Sequence, residues 1–526
     1  MEILNQEAKK QMEGCKARAK EAGLSFENDT LEYIVSNRDL VELSPKNMIP
    51  TLYDYWLHDV ELLKEMGRYE LYPNNPYETV INTRPPMSFY NDNNPQWLNV
   101  MIFYHVLGHI DFFQNNMHFQ HTKNDDFAGK ALADKRKIAS LRSKHGRWVD
   151  YIIEFSRGID NITNLYAELS ENNSVSEKPN RLDFYFGHFL QNEKKVGFSE
   201  FQKELEKYNN EVDKGDDFAE MRFFSKLHER YPEFESVYKL YLENFEEKPK
   251  TRDVMEFIME NSEFVNRREN KWMRSIMKIV RDTSLYFAPQ IRTKIFNEGW
   301  ASYWHEKLFL NDDRIKGHET DFAKTHARVT ALPRKGLNPY AIGMRLIEYI
   351  KEEADKGRNS YEFEKLKEIN KRENFDAKTG KGLDYIFELR KNYNDFMLIN
   401  SFVDQDFVDK YKLFVSGKRM NPYKGVWEYY VKSRNAKDYK KMLLNQLYHP
   451  PDIQVKSSNG NKLLVLEHNF ESKQLVPEYI KNVMIGIEYL WNGPVKLNTH
   501  ILDEEGNPKP WTYYVKEREV KGKERR

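Results

Sequence analysis

Apolar residues are most concentrated between Trp97 and Phe113, where the chain reads W-L-N-V-M-I-F-Y-H-V-L-G-H-I-D-F-F. A run of this length with no proline after Pro95 is too long for a typical strand and predicts a buried helix. Two histidines, His105 and His109, interrupt the run four residues apart. At that spacing both imidazoles leave the same face of the helix, so a core helix carries a pair of polar rings.

Helical patterns also cover much of the chain before this stretch. Residues 2–22 form a charged amphipathic pattern that ends at Gly23, and a second helical pattern covers Met48 to Met66. The segment from Tyr69 to Asn94 is rich in proline and asparagine, which predicts an irregular loop. A loop of that length inside a folded domain is usually functional or closely packed.

From residue 125 to about Asn445 the pattern is again predominantly helical. Pro289 is expected to break or kink one of these helices, and the block N-E-G-W-A-S-Y-W-H-E (297–306) resumes the helical pattern. Pro339 stands near the first position of another helix, where its missing N–H group has no intrahelical partner to lose. A charged helical region follows.

Strand-like runs replace the helical pattern near the C-terminus. The runs 453–456 and 462–468 are joined by S-S-N-G-N, a hairpin-type turn, and a helical pattern from about 476 to 491 precedes two further strand-like runs. The chain is therefore predicted to be mainly α-helical. Its predicted parts are a large helical core over residues 1–446, a small β-β-α-β-β domain of α+β type over residues 447–520, and a solvated tail over residues 521–526.

Composition and charge narrow the classes of function. Lysine plus arginine and aspartate plus glutamate both number 82, so no net field favours nucleic acid or an acidic membrane surface. The single Cys15 excludes an intramolecular disulfide and a cysteine-rich zinc module. Neither an apolar signal core at the N-terminus nor a membrane-spanning apolar segment is visible. These features predict a cytoplasmic protein with no nucleic-acid partner and no membrane span.

The histidine pair in the apolar helix is the first candidate for chemistry. Burying two imidazoles costs free energy unless each ring nitrogen has a partner, and a shared metal ion is one such partner. The zinc-peptidase motif H-E-x-x-H uses the same spacing and takes a third ligand, often a glutamate, from a later helix. Glu298, in N-E-G-W-A-S-Y-W-H, is the corresponding candidate in this chain.

Helical periodicity supports Glu298 as the third ligand. Glu298, Ala301, Ser302 and His305 share one face of their helix, and the small Ala301 and Ser302 would let that face approach the histidine helix closely. The sequence thus predicts a two-histidine, one-carboxylate site for a divalent metal ion. Zinc is the first choice, with manganese or iron as alternatives. His305 is expected to be a fourth ligand or a hydrogen-bonded neighbour of the ligands.

The position after the first histidine departs from the peptidase motif. That position holds the glutamate base in H-E-x-x-H, but here it holds Val106, which cannot accept a proton. If the protein is a hydrolase of peptidase or amidase type, His305 or Glu306 would handle protons and Tyr303 would steady an oxyanion. Asp111 is a further candidate base.

A different reading of the same residues remains open. Two histidines on an apolar helix can be hydrogen-bonded core residues, and Glu298 can be a capped or salt-bridged carboxylate. The protein would then be a non-catalytic scaffold or regulator with a degenerate site. Ligand atoms that converge beside an open cleft favour the enzyme, whereas imidazoles hydrogen-bonded to backbone or to Asn115 in a closed core favour the scaffold.

Several blocks together resemble one known family. They are V-I-N-T-R-P-P (80–86), H-V-L-G-H-I-D-F-F-Q-N-N (105–116), Y-F-A-P-Q-I-R-T-K-I-F-N-E-G-W-A-S-Y-W-H (286–305) and L-N-P-Y-A-I-G (337–343). The combination resembles the stage V sporulation protein R, or SpoVR-like, family, and His326 in T-H-A-R-V-T matches as well. The C-terminal L-L-V-L-E-H and Y-L-W-N-G-P-V-K-L also look like the ending of that family.

The resemblance implies a cytoplasmic bacterial protein involved in spore cortex formation or, in bacteria that do not sporulate, in stress adaptation. It also implies two partners, a serine-kinase-like ATPase and a von Willebrand-type protein. The family brings no assigned reaction. Its E-G-W-A-x-Y segment resembles the glutamate helix of certain zincin-type metallopeptidases, which implies a zincin-like helical core around His105, His109 and Glu298.

Overall fold

The structure is a computed structural model in which part of the chain is described. The described residues are 2–3, 6–27, 29–36, 78–122, 127–159, 180–212, 214, 218–243, 253–333, 336–421, 423, 425–447, 451–458, 463–471, 473–503 and 506–525. The helix predicted over 48–66 lies outside them, as does the first part of the loop predicted from Tyr69.

Helices dominate the described residues, as the sequence predicts, and a small sheet domain follows at the C-terminus. In chain order they are α1 Gln6–Glu21, α2 Gln96–Asn115, α3 Phe127–His145, α4 Trp148–Arg157, α5 Arg181–Phe184, α6 Phe198–Val212, α7 Ala219–Leu227, α8 Phe234–Glu243, α9 Val254–Asn261, α10 Glu263–Asn266, α11 Lys271–Arg292, α12 Lys294–Leu310, α13 Glu319–Val329, α14 Pro339–Asp355, α15 Tyr361–Lys365, α16 Ile369–Glu373, α17 Gly382–Asn392, α18 Asp395–Phe402, α19 Gln405–Lys410, α20 Ala436–Gln446 and α21 Pro477–Trp491. A π-helical segment, Tyr185–Glu193, continues α5.

The described strands form three sheets. They are β1 Glu2–Ile3, β2 Leu31–Val35, β3 Glu78–Ile81, β4 Met87–Asn91, β5 Val415–Asn421, β6 Val426–Ser433, β7 Asp452–Ser458, β8 Leu464–Asn469, β9 Val495–Leu502, β10 Pro508–Lys516 and β11 Glu519–Glu524. The sheet orders are β1-β2-β4-β3, the hairpin β5-β6, and β11-β10-β9-β8-β7. In the third sheet β8 and β9 are parallel, and α21 connects them.

Helix α12 lies between α2 and α14, and small residues set both contacts. A Cβ atom added to Gly108 of α2 would stand 2.8 Å from the Cα atom of Ala301 on α12. A Cβ atom added to Gly343 of α14 would stand 2.0 Å from the carbonyl oxygen of Ile295 on α12. Both distances are shorter than a carbon–carbon or carbon–oxygen contact allows. The close approach expected from Ala301 is therefore present, and it brings the α2 and α12 backbones together.

Local sequence explains where these helices begin and end. Asn338 caps α14 by accepting hydrogen bonds from the backbone N–H groups of Tyr340 and Ala341, and Pro339 occupies the first turn as predicted. Pro289 was expected to break or kink a helix, and it does not break one, because α11 continues through Pro289 to Arg292. The chain then starts α12 immediately after Thr293.

Two large apolar clusters divide the described residues. The first surrounds α2, α12, α14 and α17, with Phe103, Trp300 and Leu346 fully buried. The second joins α4, α9 and α11 to α21 and the C-terminal sheet, with Ile276 and Leu490 at its centre. The second cluster contains residues from both sides of the domain boundary predicted between residues 446 and 447. That boundary stays a prediction.

The C-terminal region contains the strands and the helix that its sequence predicts, together with one more strand. The segment expected to be a solvated tail contributes most of β11, which pairs antiparallel with β10 from Lys516↔Glu519 to Trp511↔Glu524. The charged region expected to be helical as far as Asn445 contains the hairpin β5-β6. Within the described residues, no helix is both long and apolar enough to cross a membrane.

Candidate metal centre

Three buried side chains meet where α2 packs on α12. His105 and His109 come from α2 and Glu298 from α12, with 5%, 7% and 4% of their surfaces exposed. The Nε2 atoms of the two imidazoles are 3.1 Å apart. Oε2 of Glu298 is 3.7 Å from Nε2 of His105 and 3.5 Å from Nε2 of His109. The structure therefore brings together the three ligand candidates that the sequence predicts.

The triangle of ligand atoms has the dimensions of a first-row metal site. Atoms separated by 3.1, 3.5 and 3.7 Å lie on a circle with a radius of roughly 2.0 Å. Zinc–nitrogen and zinc–carboxylate bonds are about 2.0–2.2 Å long. The donor set of two imidazoles and one carboxylate suits zinc, iron or manganese. The residues present thus fit a divalent cation.

The two oxygens of Glu298 have different surroundings. Oε1 forms an ion pair with Lys294, one turn earlier on α12. Oε2 is buried and has no hydrogen-bond partner among the described residues. Burial alone would raise the pKa of Glu298, but contact with His105 and the charge of Lys294 bring it well below its usual range. A buried carboxylate oxygen without a hydrogen-bond partner costs free energy, and a bound cation would remove that cost.

His109 has the protonation state that a metal ligand needs. Its Nδ1 lies 3.0 Å from the carbonyl oxygen Oδ1 of Asn297. Because Oδ1 of an amide only accepts, Nδ1 carries the proton and donates, and Nε2 keeps its lone pair. Burial, with the nearby His105, lowers the pKa of His109 to about 4, so the ring is neutral at pH 7.

A chain of histidines leads from His105 toward the surface. Nδ1 of His105 lies 2.9 Å from Nδ1 of His305, and Nε2 of His305 lies 2.9 Å from Nδ1 of His326. Nε2 of His326 is 3.7 Å from Oε1 of Glu306, whose side chain is 22% exposed. If His105 offers the lone pair of Nε2 to a metal, its Nδ1 donates to His305, and each later ring donates outward in turn.

Two of the residues predicted to be catalytic lie along this chain and one does not. His305 is 1% exposed and contacts His105 directly, and burial lowers its pKa well below the ordinary value. Glu306 lies at the outer end of the chain. Tyr303 follows Glu298 by five residues, which places it roughly 140° around α12. Its ring contacts Trp304 and the Nζ atom of Lys307. The three catalytic roles stay predictions.

Asp111 and Asn115 have partners away from the imidazoles. Asp111 accepts hydrogen bonds from Nε1 of Trp300 and the backbone N–H of Ser25. Asn115 donates to the carbonyl oxygens of Ser25 and Asp111. Asp111 is therefore part of the packing of α2, and the scaffold reading finds no support in Asn115.

Sequence reasoning missed three contributors to the centre. Asn297 orients His109, Lys294 neutralises Glu298, and the ring of Tyr340 stacks on His105 at 6.0 Å between centroids. Lys294 stands four residues before Glu298 and was therefore visible as a helical ion pair. Asn297 and Tyr340 carry no such signal, because their contacts join segments far apart in the chain.

The sequence of the chain is similar to those of known proteins. The sequence model of the family described as "SpoVR like protein" matches residues 3–450. Among curated proteins, the chain is similar to "Uncharacterized protein YcgB" of Escherichia coli (strain K12), with 23% identity over 336 residues. That similarity covers 60% of this chain and 58% of the relative, which is less than two thirds of the relative's length. No solved structure matches the chain.

Proposed function

The chain belongs to the SpoVR-like family, and we propose that it is a metal-dependent hydrolase whose divalent cation is held by His105, His109 and Glu298. The observation that carries this proposal is Oε2 of Glu298, which is buried without a hydrogen-bond partner in the described residues and lies beside two Nε2 atoms. Such an oxygen is costly in a core unless a positive charge faces it.

A cation held there would supply Lewis acidity toward a carbonyl oxygen or a water molecule. The chain's own residues prepare the ligands for it. Asn297 fixes the tautomer of His109, and His305 lies within hydrogen-bond distance of Nδ1 of His105, the ring nitrogen that faces away from Glu298. Lys294 balances the charge of Glu298, so that the centre holds one carboxylate and one ammonium before any ion binds.

Proton transfer is assigned to the histidine chain, because Val106 replaces the glutamate base of the peptidase motif. With a cation on Nε2 of His105, His305 would receive a hydrogen bond from His105 and pass one to His326, which faces the carboxylate of Glu306. A proton can leave the centre along these contacts without exposing the core to water. The zincin-like character of the core belongs to this proposal and rests on the family resemblance.

A non-catalytic scaffold is the second candidate, and one observation favours it. All three ligand candidates are at most 7% exposed, which suits a closed structural site better than an open catalytic one. In that case the cation would stabilise the packing of α2 on α12, and function would lie in partner binding.

Metal content tests the centre itself. Purified protein should contain about one equivalent of zinc, manganese or iron by elemental analysis, and a His105→Ala/His109→Ala variant should contain none. The matched control is His145→Ala/His318→Ala, which removes two histidines that stack on Trp272 and Trp97 away from the centre. Equal metal in both double variants would contradict the assignment.

Cobalt(II) substitution separates the two candidate functions. A catalytic site keeps a coordination position open, so acetohydroxamate should change the visible absorption of the cobalt-loaded protein. A structural site is closed, and its spectrum should not respond. An unchanged spectrum at saturating hydroxamate would therefore favour the scaffold.

The cellular role proposed here rests on the family resemblance alone. We assign the protein to the cytoplasm, to spore cortex formation or stress adaptation, and to a complex with a serine-kinase-like ATPase and a von Willebrand-type protein. Affinity purification of the tagged chain from its own host, followed by mass spectrometry, checks the two partners. Their absence from repeated purifications would overturn that part of the proposal.

A further inference from the structure

A cavity that is remote in sequence from the metal centre lies in the C-terminal domain. It occupies about 410 Å³ between α21 and the strands β7, β8 and β9. Gly158, which follows α4, and Leu447 complete the wall. The volume falls within the range that holds small organic ligands. Most of its lining lies beyond residue 450, where the family match ends.

The floor of the cavity is apolar and its mouth is mixed. Leu466, Met484 and Ile487 are at most 2% exposed, so the floor belongs to the second apolar cluster. At the mouth Val476 and Tyr479 are 51% and 65% exposed. Close-packed interiors seldom leave a space of this size. An apolar molecule would gain free energy by entering it.

One buried polar side chain indicates which polar group the ligand carries. His468 lines the cavity and is 4% exposed, and its Nδ1 lies 2.8 Å from Oγ1 of Thr499. Oγ1 of Thr499 also lies 3.4 Å from the carbonyl oxygen of His500, and when the hydroxyl donates there, Nδ1 of His468 donates to Thr499. In this tautomer Nε2, the other ring nitrogen of His468, carries the lone pair and accepts.

Burial lowers the pKa of His468, which keeps the ring neutral near pH 7. A neutral hydrogen-bond acceptor at the buried end of the cavity favours a ligand that carries a hydrogen-bond donor, and it does not attract an anion. The exposed Glu471 and Lys473 at the mouth carry opposite charges and set no net preference.

We propose that this cavity binds a neutral small molecule with an apolar body and a hydroxyl or amide N–H group that donates to Nε2 of His468. The binding is independent of the metal centre. The full-length protein should bind N-phenyl-1-naphthylamine, a neutral fluorescent probe with one N–H group, in a saturable manner. 1-Octanol and octanamide should displace the probe, and octanoate should be at least tenfold weaker.

Two variants on α21 locate the binding. Val483→Phe fills the cavity, and we expect it to abolish binding while leaving the melting temperature unchanged or higher. Ile485→Phe is the matched control, because Ile485 lies on the same helix outside this cavity. It should bind the probe as the unmodified protein does. Equal binding by both variants would place the ligand elsewhere and overturn the proposal.

His468→Phe tests the polar contact. The unmodified protein should prefer 1-octanol to octyl methyl ether, which has no donor, by about fivefold, the effect of one neutral hydrogen bond. The variant should lose this preference while retaining the probe. Absence of saturable probe binding, or tighter binding of octanoate than of octanol, would each refute the assignment.

Discussion

Asn297 shows at the scale of single residues how the centre depends on atoms outside the ligand set. Its Oδ1 accepts from Nδ1 of His109 and so holds the lone pair of Nε2 toward Glu298. Hydrogen-bonded neighbours of this kind typically change metal affinity by about 10- to 100-fold. The ligands alone therefore do not determine how tightly the centre holds an ion.

Asn297→Leu should lower metal affinity about 10- to 100-fold, because His109 then loses the acceptor that fixes its tautomer. Asn297→Asp retains an acceptor and should lose much less. Competition with a calibrated chelator measures both affinities. Equal affinities for the two variants would show that the Asn297 contact does not orient the ligand.

The three ligand candidates could be identified from sequence because each contribution is local. Two histidines at i, i+4 must share a face of α2, and Glu298 shares a face of α12 with the small Ala301. Asn297 and Tyr340 were not predictable, since their roles depend on how α2, α12 and α14 are oriented about one another. Helical periodicity specifies which residues share a face of one helix. It does not specify how two packed helices are oriented relative to each other.

At the scale of elements, the contact between α12 and α14 depends on a pair of glycines. A methyl group on Gly343 would overlap the carbonyl oxygen of Ile295, and one on Gly299 would stand 2.3 Å from the carbonyl carbon of Gly343. Neither overlap can be relieved by a side-chain rotation, since both involve backbone atoms.

Gly343→Ala should therefore lower the free energy of unfolding by about 1–3 kcal/mol, the usual cost of overpacking, and should weaken metal binding as α12 shifts. Gly187→Ala is the control. A Cβ atom at Gly187 meets nothing within 4 Å, so its stability should be unchanged or slightly higher. Denaturant unfolding of both variants checks the difference, and similar losses would contradict the packing argument.

A carboxylate from another helix caps the start of α12. Asp395, the first residue of α18, accepts hydrogen bonds of 2.8 Å from the backbone N–H groups of Ile295 and Phe296. Thr293 precedes the helix without a side-chain capping bond. The first backbone N–H groups of any helix have no acceptor within the helix. Asp395, about a hundred positions away in the chain, accepts from two of these groups in α12.

Burial raises the pKa of Asp395 to about 7, above its value of 3.8 in an unfolded chain, although the hydrogen bonds from Ile295 and Phe296 oppose the rise. A raised pKa adds stability at low pH that is lost as pH rises through 7. Asp395→Asn should therefore lose more stability at pH 5 than at pH 8, by about 2 kcal/mol. Denaturant unfolding at both pH values measures this difference. A larger loss at pH 8 would contradict it.

Sequence patterns identified elements with a buried face and missed exposed ones. The helix α2 was visible because its continuous apolar run is too long for a typical strand, and α12 because the sequence after Pro289 resumes a helical pattern. The hairpin β5-β6 was not recognised from its sequence. Its apolar residues Trp427, Tyr429 and Val431 are 45–53% exposed and lie among charged residues. The strand β11 was missed for the same reason, since most of its residues are exposed.

At the scale of the whole molecule, the second apolar cluster ties the C-terminal sheet domain to the helices α4, α9 and α11. A buried hydrogen bond from Oγ of Ser262 to the carbonyl oxygen of Leu490 joins the same parts. The second apolar cluster therefore contains residues from both sides of the boundary predicted near residue 446, and that boundary stays a prediction.

A chain that ends at Gln446 should lose the cooperative unfolding of the full-length protein and bind 8-anilinonaphthalene-1-sulfonate, because the faces of α4, α9 and α11 in the second cluster become exposed. Removal of residues 519–526 alone is the control. It deletes an edge strand that pairs only with β10 among the described strands, and it should leave the main transition in place. A cooperative, dye-free protein ending at Gln446 would show that the helical part folds alone.

The separation between the ligand-bearing helices also constrains the order of events during synthesis. His109 and Asn297 are 188 positions apart, and the carboxylate that caps α12 is made about a hundred positions later still. No short nascent segment contains a complete set of ligands. The ribosome must therefore have produced nearly 400 residues before the three ligand candidates and the cap of α12 can come together, so the cation of the proposed function would meet the folded centre and not the emerging polypeptide.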